Sequence, residues 1–215
     1  MTDTTPKSAH DMADFDARAA TWDDDPSKVE RARAIADAIA REVPLARTMD
    51  ALEYGAGTGL VGFMLRPHLA DVTLADLSEG MLAVAEAKIR VAGDAHMRAV
   101  RLDLLDEPLH DPSYDVIFSA MTLHHIPDTA GILKRFHDVL RTPGYLCIAD
   151  LDREDGSFHG AGFDGHLGFD RAGLGELARH AGFASVRFVT AYEMAKDVAG
   201  APRVFPIFLM VARTA

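Results

Sequence analysis

The sequence predicts an α/β fold, a parallel sheet with helices on both faces, and three observations predict it. Short runs rich in branched apolar residues alternate with longer helical runs. The strand-like runs are apolar along most of their length, the pattern of strands covered on both sides. A glycine-rich turn, Gly55, Gly57 and Gly59, follows the first of them, where open α/β sheets bind ligands beyond the carboxyl ends of their strands.

In chain order, Met12, Phe15, Ala19 and Trp22 share one helical face. A second helix is predicted in "SKVERARAIADAIAREVP", opened by a capping box of Ser27 and Glu30 and closed by Pro44. The acidic triplet Asp23 to Asp25 before it reads as a solvated helix end. The first strand is "TMDALEYG". There follow "VTLAD" with the helix "SEGMLAVAEAKIRVAG", "AVRLDL", then "YDVIFSA" with the helix "PDTAGILKRFHDVL", then "GYLCIADL". In the helix before that last strand, Ile132, Leu133, Phe136, Val139 and Leu140 mark one apolar face. After a Gly-rich stretch and the helix "DRAGLGELARHAG", two β-type runs, "SVRFVTAY" and "IFLMVART", are joined by a segment with Gly200, Pro202 and Pro206. No helical pattern fills that connection, so an antiparallel hairpin with a long loop is expected.

With 215 residues, 48% of them hydrophobic and 26% charged, the chain suits one domain, residues 1–215. It divides into an N-terminal helical cap (1–45), a ligand-binding core (46–151), and a substrate loop with the closing hairpin (152–215). A net charge of −11 with no basic cluster excludes nucleic acid as a partner. The single cysteine, Cys147, sits in an apolar run and reads as a buried small hydrophobe, so no disulfide framework exists and a reducing compartment fits. No apolar run reaches signal-peptide or membrane-spanning length. A cytoplasmic protein that makes no membrane contact is therefore expected.

The glycines overlap in two frames. Gly55, Gly57 and Gly59 spell G-x-G-x-G, whereas Gly57, Gly59 and Gly62 spell the dinucleotide fingerprint G-x-G-x-x-G. Glu53, two residues before Gly55, separates the readings. A carboxylate beside the loop disfavours a pyrophosphate and favours a sulfonium and an ammonium. Gly62 is then expected to serve close packing of the helix on the sheet.

"LEYGAGTGL" followed by "VTLADLSEGML", "RLDLL" and "YDVIFSAMTLHHIPD" resembles the class I S-adenosylmethionine-dependent methyltransferases, in particular the small-molecule type 11 subgroup. The resemblance implies a Rossmann-like, mostly parallel sheet of seven strands in the order 3-2-1-4-5-7-6, with strand seven antiparallel and extra N-terminal helices. It implies S-adenosylmethionine as cofactor, S-adenosylhomocysteine as product, and a small-molecule methyl acceptor for a monomer or homodimer. It places Glu53, Tyr54, Gly55, Ala56, Gly57 and Gly59 around the methionine part of the cofactor. Asp76 falls on the ribose hydroxyls, with Leu77 on adenine and Met81 in the next helix. Asp103 falls on the adenine amino group with Leu104 beside it, and Ser119, Ala120 and Met121 lie under the methyl donor. Phe15 and Trp22 either fold over the cofactor or belong to an ordinary core stripe.

For an acceptor with a proton to lose, His124 and His125 are the first candidate bases, with His159 and His166 next. Asp152, Glu154, Asp155, His159 and His166 show no recognised ligand spacing, so no metal is expected. The stretch "DLDREDGSFHGAGFDGHLGFD" is instead expected to recognise the acceptor. Strand four lacks the Asn/Asp-Pro-Pro-aromatic signature of enzymes that methylate exocyclic or amide nitrogens, and "TLHH" stands where aminopropyl transferases carry acidic residues. In "TPGYL", Tyr145 replaces a glycine common in the family. Two other functions stay open: an NAD-dependent oxidoreductase using the second glycine frame, and a non-catalytic protein that binds S-adenosylmethionine.

Overall fold

The computed structural model describes residues 7–107, 109, 113–160 and 162–215, with backbone alone for residues 7–12. Two helices precede the sheet, α1 (Lys7–Arg18) and α2 (Pro26–Glu42), separated by a 3-10 turn over Ala19–Asp24. The order is then β1 (Asp50–Tyr54), α3 (Leu60–Leu65), β2 (Asp71–Asp76), α4 (Glu79–Ala92), β3 (Met97–Arg101), β4 (Tyr114–Ala120), α5 (Thr129–Val139), β5 (Leu140–Leu151), α6 (Arg171–His180), β6 (Ser185–Val198) and β7 (Ala201–Arg213).

The seven strands form one sheet in the order β3-β2-β1-β4-β5-β7-β6. Pairs from β3 through β5 are parallel, and β7 runs antiparallel to both of its neighbours. Residues of a strand alternate between two cores. Val116 and Phe118 of β4 join Ile35 and Ile39 of α2, Val61 and Leu65 of α3 and Ala85 of α4 on one face. Ile117 joins Ile132, Leu133 and Phe136 of α5 and Leu174 and Ala178 of α6 on the other. Cys147 is fully buried in the first core, where burial pushes its thiol up to about 12.

Three local expectations are corrected. Asp25, not Ser27, opens α2: its carboxylate accepts from Ser27 N at 3.0 Å and Pro26 takes the first helical position, where its fixed φ and missing N–H cost nothing. The acidic triplet is also no solvated end, because Asp23 accepts from Thr58 Oγ1 (2.5 Å) and Lys88 Nζ (2.8 Å). The hairpin has no long loop: β6 and β7 pair down to Val198 and Ala201, leaving Ala199 and Gly200 as the turn, both at positive φ. Pro202 and Pro206 sit inside β7. The Pro206 carbonyl accepts from Asp152 N at 3.0 Å, on the side away from β6, and a strand residue points its N and carbonyl the same way. The missing proline N–H groups thus face the side where β5 ends at Leu151 and cost no bond to β6.

Glu53 on β1 is 2% exposed, and its Oε2 accepts from Gly62 N of α3 at 2.8 Å. The expectation for Gly62 holds: a Cβ there would lie 2.5 Å from both Glu53 Oε2 and Leu74 Cδ2, so only glycine lets α3 sit this close to β1 and β2. Burial pushes the Glu53 carboxyl up to about 8, a rise opposed by the Gly62 hydrogen bond and by Lys88 and supported by Asp76.

A folded-state value raised above the unfolded one means that stability is fully present below about pH 4.5 and is lost as pH rises through about 8. Glu53→Gln, which stays neutral and keeps an acceptor, should match wild type near pH 4 and gain on it up to pH 8, by on the order of a few kcal/mol in urea unfolding. A pH-independent difference would show that Glu53 is buried ionised. Gly62→Ala should cost roughly 1–3 kcal/mol through overpacking, read in the same unfolding curves.

Candidate active site

At the carboxyl ends of β1, β2 and β4 lies a cavity of about 560 Å³, within the range of small-molecule sites. Its floor is the turn after β1. Gly55 and Gly57 are at φ +69° and +55°. A side chain on Gly55 would run into Thr122, whose Oγ1 donates to Gly55 O at 3.1 Å, while one on Gly57 would meet only Met81 Sδ, 3.9 Å away, and would stand in the cavity. Gly59 does not line it. At φ +80° it caps α3 with its α-carbon turned to Leu74, whose Cδ1 would lie 2.6 Å from an added Cβ. This geometry favours the first frame over a dinucleotide, since the middle glycine of G-x-G-x-x-G has to face the pyrophosphate. Here it faces the core, and Glu53 already holds the Gly62 amide near the start of α3.

Asp76, at the end of β2, accepts from Gly57 N (Oδ2, 2.6 Å) and Ser78 N (Oδ1, 2.9 Å). Burial raises its carboxyl against these bonds. The Leu77 amide also bonds this carboxylate, and of its about four acceptor sites one remains for a ligand in the cavity that Asp76 lines. Leu77 and Met81 line the wall beyond it. The Tyr54 hydroxyl accepts from Leu104 N at 3.3 Å and bonds the Asp103 carboxylate, whose Oδ1 also accepts from Leu105 N at 2.9 Å; the loop after β3 is thereby folded back over the cavity. Asp103 lines the cavity but Leu104 does not: it is fully buried in the second core, and Leu102 and Leu105 on either side form the apolar wall. Ser119 is corrected in the same way. Strand alternation points Ala120 to the cavity and Ser119 away from it. Met121 follows at φ +56°, a conformation costing a non-glycine residue about 1–2 kcal/mol, held by its N–H bond to Ala149 O at 2.8 Å.

The N-terminal segment closes the top. Phe15 and Trp22 both line the cavity, ring centroids 5.8 Å apart. Two carboxylates hold the segment down: Asp16 accepts from Ser78 Oγ (2.5 Å) and Gly80 N (2.9 Å) at the start of α4, and Asp23 from Thr58 in the glycine turn. The Met12 side chain lies outside the described residues.

Arg31 of α2 escaped the sequence reading. It lines the cavity half-buried, and no hydrogen bond or ion pair to a described residue engages its guanidinium. The signal was present, because Arg31 stands four residues before buried Ile35 and eight before buried Ile39, a cation on the apolar stripe. Lys28, one turn earlier, also lines the cavity, with Nζ 3.8 Å above the Trp22 ring.

The histidines separate. His125 alone of the four candidates lines the cavity, edge-on to Phe15 at 5.4 Å. His124 is 2% exposed, with Nδ1 2.8 Å from Asp150 Oδ1 and its backbone N–H donating to Asp150 Oδ2 at 3.1 Å. His159 stacks on Phe163 at 3.8 Å, and burial together with His124 and His125 lowers it to about 4. His166 is held by Thr129 Oγ1 and Ile126 O. The five loop residues weighed as a ligand set do not converge: Asp152 pairs with Arg171, Asp155 with Arg203, and Glu154 accepts from Phe158 N. No helix among the described residues is long and apolar enough to cross a membrane.

A family model described as a methyltransferase domain matches residues 52–146. The chain is 31% identical over 210 residues to malonyl-[acyl-carrier protein] O-methyltransferase from Laribacter hongkongensis, covering 86% of this chain and 69% of that one. It is 27% identical over 139 residues to 27-O-demethylrifamycin SV methyltransferase from Amycolatopsis mediterranei, covering 60% of this chain. The chain spans about half the length of the first curated relatives it matches, 49% in the rifamycin case. Among solved structures, a SAM-dependent methyltransferase from Thermotoga maritima superposes with a TM-score of 0.70 at 19% identity, over 94% of this chain and 98% of that one. With this sheet order and a relative aligned along most of its length, the chain belongs to the class I S-adenosylmethionine-dependent methyltransferases.

Proposed function

We propose that the cavity binds S-adenosylmethionine and that the protein transfers its methyl group to a small-molecule acceptor. The observation that carries this reading is the cavity's pattern of charge. Asp76 and Asp103 lie on the wall formed by β2 and the loop after β3, and Arg31 and Lys28 on the α2 wall. That arrangement suits a molecule with ribose hydroxyls and an adenine amino group at one end and a carboxylate at the other. The apolar wall of Leu77, Leu102 and Leu105 suits the adenine ring. Gly57, with no side chain, leaves the room between the ends.

When bound, the cofactor supplies an electrophilic methyl group on a sulfonium. The chain's task is alignment and exclusion of water, because charge disappears along the in-line displacement and little dedicated machinery is needed. Phe15 and Trp22 cover the cavity, and Ala120, Met121 and Thr122 line it beside His125. Both relatives described above are named for methylation of oxygen, which supports an oxygen acceptor. A base role among the histidines narrows to His125, the one at the wall.

Calorimetry with S-adenosylhomocysteine and NAD side by side tests the reading, with binding of the first alone as the expected result. Asp76→Asn should weaken S-adenosylhomocysteine about 10–100-fold, as loss of hydrogen bonds to a charged group does. Arg31→Ala should weaken it similarly and leave 5′-methylthioadenosine, which has no carboxylate, unaffected. Selective NAD binding would overturn the assignment, and equal losses for both adenosyl ligands would move Arg31 away from the carboxylate.

A further inference from the structure

Beside the cavity, three imidazoles from two separate parts of the chain share one small space. His124 and His125 come from the turn after β4, and His159 from the loop after β5. One ring nitrogen from each lies within 4.8 Å of the other two. The centroids of His124 are 4.2 Å from His125 and 4.9 Å from His159. We infer that this cluster is a binding site for a single divalent transition-metal ion of the zinc type, with three histidine ligands and a fourth position open toward the cavity.

Four features support it. His124 is already oriented as a ligand: Nδ1 faces Asp150 Oδ1, so the geometry puts the proton there and leaves Nε2 as the lone pair. A carboxylate behind a ligating histidine is the usual support of such sites, and it fixes both tautomer and ring direction. Asp150 is fully buried and also receives the backbone N–H groups of His124 and Leu151, so its position is set independently of any ion. His159 has a buried Nδ1 with no hydrogen-bond partner, a loss that coordination would make good. The chain holds the loop ligand against the other two through the stack of His159 on Phe163 and the bond from His166 N to His124 O at 2.8 Å.

The spacing needs modest closure. Metal–nitrogen bonds near 2.0–2.1 Å in a tetrahedron put ligand nitrogens roughly 3.3 Å apart, so small ring rotations of His125 and His159 bring the set together. Imidazoles without thiolates suit zinc, cobalt or nickel better than magnesium or calcium. His125 lines the cavity, so the open position faces the proposed acceptor. A hydroxyl oxygen bound there would lose its proton to solvent more readily, and the cation would replace His125 as the means of activating it. That last step rests on the methyl-transfer reading; the binding of metal does not.

The test is titration of the chelator-treated full chain with cobalt(II) and zinc(II), by calorimetry and by visible absorption. One tetrahedral cobalt per chain, displaced by zinc, is expected. His159→Ala should weaken binding at least about 100-fold, and Asp150→Asn about 10–100-fold as a support behind a ligand. His180→Ala, outside the cluster, should leave it unchanged. S-adenosylhomocysteine binding, measured on the same samples, should survive in His159→Ala, which shows that the variant folds and keeps a failed metal site distinct from a failed cofactor site. Absence of cobalt binding, or binding insensitive to His159→Ala, would reduce the cluster to aromatic packing.

Discussion

The buried hydrogen bond between Glu53 and the Gly62 amide is the constraint on which the ligand-binding end of the molecule depends. It joins the last turn of β1 to the first turn of α3. The intervening residues, 54–61, are forced into a turn that places three glycines at positive φ. A carboxyl group near an exposed helix start usually acts as an anion meeting the helix dipole. Burial changes that balance. It pushes the carboxyl up to about 8, so the main contribution of Glu53 is geometric. The charge expected of Glu53 beside the loop is thus weakened by burial, and its hydrogen bond to the Gly62 amide takes its place. A pyrophosphate is disfavoured because Glu53 occupies the amide and because Gly59 is turned inward.

The same economy of backbone amides runs through the cap. Asp16 takes the Gly80 amide, Asp25 the Ser27 amide and Asp76 the Gly57 and Ser78 amides. Each is a carboxylate on a donor at the end of a helix or turn, an interaction stronger than one between neutral groups. The acidic composition of the chain is partly explained by this. Charge that reads as solvated surface in the sequence ties the N-terminal helices to the sheet, and Asp23, bonded to Thr58 and Lys88, extends the tie across 65 residues.

What was legible follows the periodicity. The strand and helix alternation, the closing antiparallel pair, the glycine turn and Asp76 were readable because each is a local pattern with a fixed offset. Ser119 was legible too: with Val116 and Phe118 in one core and Ile117 in the other, period two already assigns it away from Ala120. The resemblance sets Ser119, Ala120 and Met121 together under the methyl donor, an arrangement that period two does not allow. Leu104 fails for a different reason, since the loop after β3 has no period and its direction is set by Tyr54, fifty residues earlier. The prolines of β7 read as breakers because the sequence does not say where β5 ends. The meeting of His159 with His124 and His125 was out of reach, because only the folded loop brings them together.

The cavity and the loop after β5 are also built from interactions of different strength. The cavity rests on buried or half-buried hydrogen bonds to strand ends and helix starts. The described residues of the loop are pinned by ion pairs nearer solvent, Asp152 with Arg171 and Asp155 with Arg203, supplemented by Glu154 on the Phe158 amide. The Asp155–Arg203 pair is screened by solvent, so its loss costs the sheet little, whereas a single added methyl group at Gly62 reaches the core. His124, bonded to Asp150 at the end of β5 and through its carbonyl to the His166 amide, is one of the links between the loop and the sheet.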